Sequence, residues 1–191
     1  MHREPDAEIE TDQLLELFSA SEAQDEEARD STTAYLNEIG MIFGATYQSD
    51  AVIADGTAAP AVADAVTEYV PSARPGSRAP HAWLHKRDGE RVSTIDLTGN
   101  DFVLMAGAEG DAWLEAGRTA ASRSGIALTP VKVGGDGLAD VDGRWHDTYG
   151  IEPGGAVLVR PDGYVCWRGV SAAGPVSGAL NDALAAIQGR A

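Results

Sequence analysis

The chain has 191 residues, 43% of them hydrophobic, which suits one domain with a buried core and an extension. Its formal net charge of −16 argues against nucleic-acid or anionic-membrane partners, whose phosphates it would repel. No apolar run approaches the length of a bilayer span. A single cysteine excludes an intramolecular disulfide framework and points to the reducing cytoplasm.

The acidity is concentrated at the start. Residues 1–30 hold eleven acids against Arg3 and Arg29, a balance of −9, and the rest of the chain carries −7. The opening MHREPDAEIETD lacks the basic-then-apolar pattern of a signal peptide, and residues 1–10 are expected to be disordered. Thr11-Asp12 fits the start of a short helix bearing Leu14, Leu15, Leu17 and Phe18. A second helix is expected from Ser21, with Gln24 in the capping-box position and Gly40 as its stop. Its apolar face gathers in the last turns, at Ala28, Tyr35, Leu36 and Ile39. Residues 45–53 read as a strand, residues 57–69 as either a loop or a short helix, and PSARPG at residues 71–76 as a linker. The expected division is therefore an acidic extension over residues 1–73 and a folded domain over residues 74–191.

Beyond that boundary the pattern sharpens. Short extended pieces are predicted over residues 81–85 and 92–97, and a buried strand over Phe102–Ala106 (FVLMA). Asp111 is placed to cap a helix over residues 112–124 with Trp113, Ala116, Gly117 and Ala120 inward and Gly125 at its end. A strand over residues 127–133 and a helical turn over residues 145–150 follow. GGAVLVRPDGYVCWRG, residues 154–169, then reads as two strands joined by Pro161-Asp162-Gly163, with Gly163 taking the positive φ that closes the hairpin. Val157-Leu158-Val159 sends apolar side chains to both faces, so this hairpin belongs inside a sheet covered on both sides. Val176, Ala179, Leu180, Ala183, Leu184 and Ile187 mark a closing helix ended by Gly189.

A βαβ unit joined to a ββα unit gives an α/β fold, a mixed four-stranded sheet between helices, which is the thioredoxin arrangement. The lead-in APHAWLHKRDGERVSTIDLTG, residues 79–99, resembles that of peroxiredoxin-like members of the fold. Redox members place a thiolate where the first core strand meets its helix, because the helix dipole lowers the thiol pKa there. Here that place reads Gly107-Ala108-Glu109-Gly110-Asp111, and Gly154-Gly155 stands where a proline usually precedes the third strand. Cys166, in mid-strand between Val165 and Trp167, reads as a packing residue. Thiol catalysis is therefore not expected.

His81 and His85 are spaced to share a metal, but no third ligand stands near them and Pro80 opposes a helix, so no metal site is assigned. Gly134-Gly135-Asp136-Gly137 completes no nucleotide-binding motif and reads as a turn. Ser171, Ser177 and His146 form no nucleophile elbow. Among Trp83, Trp113, Trp145 and Trp167, at least two are expected in the core, with one or two free to face a partner.

Five phrases in order, RPGSRAPHAWL, STIDL, FVLMAGAEGDAW, DGRWHDTYGI and GAVLVRPDGYVCWRG, resemble the C-terminal part of the FAD-dependent aromatic-ring hydroxylases, the group of phenol, dichlorophenol and polyketide hydroxylases. NEIGMIFGATYQSDAVI, residues 37–53, resembles the segment leading out of their substrate and flavin domains. The resemblance implies a redox-inactive thioredoxin-like domain with an assembly or stabilising role and no catalytic or cofactor-binding residues of its own. FAD and NAD(P)H are then implied only for a partner or full-length relative, since the family's flavin fingerprints have no counterpart here. Gly110-Asp111-Ala112 mimics the family's Gly-Asp motif but falls in the C-terminal part. The expected partner is a flavin-domain subunit or a second copy. The chain is expected to be a separately encoded subunit contributing to aromatic hydroxylation, a truncated or split product, or an independent thioredoxin-like binding protein. The candidate interface residues are Tyr35, Leu36, Ile39, Arg74, His81 and Trp83.

Overall fold

The computed structural model describes residues 38–189. The expectations for residues 1–10, for the helix after Thr11-Asp12, and for most of the helix from Ser21, including Tyr35 and Leu36, lie outside these residues.

The chain enters through helix α1 (Ile39–Gly44), so Gly40 does not stop a helix as expected but lies inside one. Its role is close approach. A Cβ on Gly40 would meet the backbone carbonyls of Ala65, Val66 and Glu68, and the N–H groups of Gly40 and Met41 donate to the Val66 carbonyl at 2.8 and 3.3 Å. Residues 45–53 do not form the expected strand. They contribute a single antiparallel bridge between Thr46 and Ser77, and a turn in which Val52 N–H donates to Ser49. The polar run over residues 46–50 offers no alternating apolar face for a sheet to bury, and the pairing stops at one bridge.

A small hairpin of β1 (Trp83–His85) and β2 (Arg91–Ser93), followed by a 3-10 turn (Ile95–Leu97), leads into the main sheet. That sheet contains β3 (Phe102–Ala106), β4 (Leu128–Lys132), β5 (Ala156–Val159) and β6 (Val165–Gly169) in the order β4-β3-β5-β6. Strands β3 and β4 are parallel and joined by helix α2 (Asp111–Ser124); β3–β5 and β5–β6 are antiparallel. Short helix α3 (Trp145–Tyr149) lies in the crossover, and α4 (Val176–Ile187) closes the fold. This is the thioredoxin-like order expected from the sequence. Pro130 sits on β4, at one outer edge of the sheet.

The central strands are buried on both faces. Leu104, Ala106, Ala156 and Leu158 pack with Trp113, Leu114, Ala116 and Ala120 of α2 and with Leu180, Ala183 and Leu184 of α4. Val103, Met105, Val157 and Val159 pack on the other side with Ala73, Ala79, Leu84, Trp145 and Tyr149. Helices therefore cover one face, whereas the second is covered mainly by the lead-in chain and one short helix. The register slips between Leu158 and Val159, leaving an extra residue on β6. Such a bulge turns consecutive side chains the same way, and Cys166 and Trp167 both join the helix-side core while Val165 joins the other. Trp113, Trp145 and Trp167 are core residues, and the Trp113 and Trp167 rings meet edge-on at 5.0 Å.

Helix α2 ends as expected on Gly125 in the left-handed region, φ 70°. Its start differs. Gly110 occupies the cap position, and Asp111 is the first helical residue, with its carboxylate on Lys132 Nζ at 2.8 and 3.0 Å instead of on the helix's own N–H groups.

The segment read as a linker is not a free tether. Ala73, Pro75 and Gly76 are buried, Gly76 N–H donates to the Val165 carbonyl at 2.8 Å, Val165 N–H to Ser77 at 2.9 Å, and Ala79 N–H to Gly163 at 2.8 Å. Its Pro and Gly residues bend the chain to lie along β6. Farther along the same edge, Ile53 N–H donates to the Cys166 carbonyl at 2.8 Å.

Leu158 has no exposure and stands at the centre of the helix-side layer. Leu158→Ala is expected to destabilise the fold by about 2–5 kcal/mol, the range for large-to-small core truncation. In urea unfolding this lowers the midpoint without changing the slope.

Candidate functional site

At the corner where thioredoxin-like proteins carry their thiol, β3 ends on Ala106 and the chain passes through Gly107-Ala108-Glu109-Gly110 into α2. Neighbouring chain seals this loop. Gly107 N–H donates to the Gly155 carbonyl at 3.0 Å, Glu109 N–H to Pro153 at 2.9 Å, and Trp113 Nε1 to Gly154 at 2.9 Å. A Cβ on Gly107 would strike the Pro153 carbonyl and come within 2.9 Å of the His146 ring. Residues 153–155, which precede β5, thus hold the corner shut.

The same corner does not fit the pyrophosphate of a flavin or nicotinamide dinucleotide. Such a group needs a glycine loop open to a helix N-terminus and free of negative charge. Here Asp111 occupies the first helical position, Glu109 precedes it, and Lys132 is already held by Asp111 and by Asp136 at 3.0 Å. Gly134-Gly135-Asp136-Gly137 is the expected turn, closed by Gly137 N–H to Gly134 at 3.0 Å.

Cys166 is fully buried in β6, its thiol directed at the Leu158 carbonyl at 3.4 Å. Burial pushes its pKa up to about 12. Its native-state reaction with a thiol reagent is therefore expected to be slow and to accelerate on unfolding; stopped native labelling against labelling in denaturant measures this, and rapid native labelling contradicts it.

The candidate interface residues divide by location. Ile39 is exposed on α1. Arg74 is half-buried, with Nε donating to the Thr57 carbonyl at 2.7 Å. His81 and Trp83 stand together on the lead-in hairpin, their rings edge-on at 4.7 Å, with the Arg91 guanidinium 3.9 Å from the indole centroid. Trp83 is 39% exposed and borders a cleft of about 410 Å³ that Asp140, Asp142, Arg144 and Thr148 also line. His81 Nδ1 lies 2.8 Å from Ser93 Oγ, a serine–histidine pair that sequence spacing did not signal. Ser93 is buried and its Oγ accepts the Ile95 N–H at 3.1 Å, so the pair fastens a turn and presents no nucleophile. His85 is not brought into a shared ligand set with His81; its backbone pairs with Ala139 instead. Among the described residues, no group of three or more His, Cys, Asp or Glu side chains is placed to hold a metal ion. Among them, too, no helix is long and apolar enough to cross a membrane.

An apolar surface that the sequence reading only began to define lies where α1 meets the 59–78 segment. Met41 and Ile42 are each 56% exposed, and Ile39, Phe43, Val66 and Val70 are exposed beside them. Phe43 and Tyr69 rings lie 5.6 Å apart, and Arg78 stands 5.6 Å over Phe43. The run IGMIF at Ile39–Phe43 was the available signal, obscured by reading Gly40 as a stop.

One partly buried ion pair fastens this upstream region to the sheet. Arg168 Nη2 meets Asp55 Oδ2 at 2.6 Å, with side chains 6% and 15% exposed. Burial alone would raise the Asp55 pKa, but hydrogen bonds from Thr57 and Arg168 outweigh it and hold the carboxyl below its ordinary value. The folded value lies below the unfolded one, so the stabilisation is complete above the ordinary Asp pKa of about 3.9 and is lost as pH falls through the lower folded value. Asp55→Asn is expected to flatten that acid limb of a stability-versus-pH curve; an unchanged limb contradicts it.

Fold and corner together define a thioredoxin-like domain whose thiol position holds glycine and alanine. Residues 72–191 match the family model described as aromatic-ring hydroxylase, C-terminal, and the chain belongs to that family. It is 41% identical over 161 residues to 4-methyl-5-nitrocatechol 5-monooxygenase of Burkholderia, a match covering 83% of this chain and 29% of the relative. It is 40% identical over 155 residues to 2,4-dichlorophenol 6-monooxygenase of Delftia acidovorans, covering 77% and 26%. Among solved structures, the flavin-dependent monooxygenase PieE in complex with FAD and substrate superposes with a TM-score of 0.74 at 36% identity, over 81% of this chain and 27% of that one. The chain spans less than a third of the length of these relatives.

Proposed function

We propose that this chain serves as the non-catalytic C-terminal thioredoxin-like part of a flavin-dependent aromatic hydroxylase, acting in assembly or stabilisation. In this reading the two sides of the 73/74 division differ in role: the downstream part is the scaffold, and the upstream part presents the docking face. FAD and NAD(P)H belong to a flavin-bearing domain or subunit, which carries out the hydroxylation in the cytoplasm, and the present chain has no autonomous activity.

The observation that carries the reading is the exposed apolar face of Ile39, Met41, Ile42 and Phe43 on a domain whose customary reactive corner is sealed. Each large side chain buried against a partner stabilises the contact by about 1.5–3 kcal/mol, so leaving such a face in water forgoes a substantial driving force. A flavin-bearing domain is the favoured occupant because the relatives carry more than two thirds of their length outside the matched region.

The test mixes the purified chain, without bound flavin of its own, with the flavin-bearing domain of a relative. Association should be measurable by calorimetry, and an Ile42→Glu, Phe43→Glu variant with unchanged circular dichroism should bind at least about tenfold more weakly. Binding that the double variant leaves intact, or near-stoichiometric flavin retained by the chain alone, sinks the reading. Concentration-dependent dimerisation abolished by the same variant would instead assign the face to a second copy.

A further inference from the structure

Arg168 does more than pair with one carboxylate. Its Nε donates to Asp55 Oδ2 at 2.8 Å, Nη2 also reaches Thr57 Oγ1 at 2.6 Å, and Nη1 donates to the Tyr149 carbonyl at 3.1 Å. Asp55 Oδ1 in turn accepts the Thr57 N–H at 2.9 Å, and the Thr57 carbonyl accepts Arg74 Nε. One guanidinium on β6 therefore joins the upstream segment, the sheet and the end of α3. Gly150, immediately after α3, has no side chain to displace the guanidinium.

Asp55 and Thr57 precede residue 72, where the family match begins. The chain on either side of Asp55 and Thr57 leads to the α1 face: Tyr47, just after α1, donates its N–H to the Gly76 carbonyl at 2.8 Å, and the Gly40 and Met41 N–H groups of α1 donate to the Val66 carbonyl. We infer that Arg168 is a positioning residue for that face, a latch that fuses the upstream segment to the thioredoxin-like sheet so that a flavin-bearing partner meets α1 at a fixed place. The functional half of this inference rests on the docking reading above. The mechanical half stands on geometry alone. A planar fork with several donors can hold Asp55, Thr57 and the Tyr149 carbonyl at once, which a lysine ammonium on a flexible stem cannot reproduce. Removing either member of the pair leaves the other, with its side chain largely shielded from water, without its counter-charge.

Hydrogen exchange on the full chain, without partner, tests the latch. In Arg168→Gln and in Asp55→Asn, the amides of Tyr47, Ile53 and Thr57 should exchange at least about tenfold faster, while those of Leu104, Met105 and Leu158 keep their protection. Arg168→Lys should not restore the upstream protection. Unchanged upstream amides overturn the latch, and so does an equal loss across upstream and central amides, which would make Arg168 a general core residue. If Arg168→Gln does not fold, Asp55→Asn decides between the same outcomes. A second arm measures binding of the flavin-bearing domain: Arg168→Gln, with every α1 side chain intact, should bind at least about tenfold more weakly. Wild-type affinity in a variant whose upstream amides are freed removes the positioning role. If the unaltered chain does not bind at all, the docking reading and the positioning role fall together, whereas the exchange result still judges the latch separately.

Discussion

The structure depends on the two-sided burial of its central strands. Val157 and Val159 face one layer and Leu158 the other, and β3 divides Val103 and Met105 from Leu104 and Ala106 in the same way. Strands so patterned require cover on both sides. Helices α2 and α4 supply one cover with their backbone bonds satisfied internally. The other is largely irregular chain, whose polar groups need individual partners. Pro80 shows how this is met: its carbonyl accepts both Thr94 Oγ1 at 2.8 Å and the buried Tyr149 hydroxyl at 2.7 Å. Burial raises the Tyr149 pKa far above the ordinary range, so its hydroxyl acts as a fixed donor.

The same demand explains why the upstream segment cannot be treated as an appendage. Ala73 and Ala79 belong to the second layer, and Ile53 packs at the margin of the first. The family match from residue 72 captures the sheet and its helices but not Asp55 and Thr57, on which Arg168 closes. The span of the family match and the mechanical unit are different things here. The first follows the sequence pattern, and the second follows where buried charges find their partners.

Much of the fold was legible because its signals are local. FVLMA and AVLV are short apolar runs, Pro161-Asp162-Gly163 is a turn with a chemical reason, and Gly163 does adopt a φ of 82°. The period of α4 was correct at Leu180, Ala183 and Leu184, although Ala179 faces solvent. Most other differences concern long-range contacts. Gly40 fits a helix stop in a window of neighbours, where its actual requirement, approach to the carbonyls of residues 65–68, is invisible. Pro and Gly in residues 71–76 signal irregular chain equally well whether it swings free or lies on a sheet edge. The thiol corner was legible from the missing cysteine, but its sealing by Pro153 and Gly155 was not. The exposed α1 face was half legible, since apolar residues announce burial without naming what buries them.

Pro130 has a consequence beyond its place in β4. A proline on an outer strand has no N–H to offer a neighbouring chain, and at the opposite edge β6 already receives Ile53 and Gly76. Among the described residues, β6 is thereby covered along part of its edge, and Pro130 makes β4 a poorer template for an added strand. Such edges disfavour backbone pairing, which accepts almost any extended sequence, and leave side-chain shape and charge as the more selective means of contact.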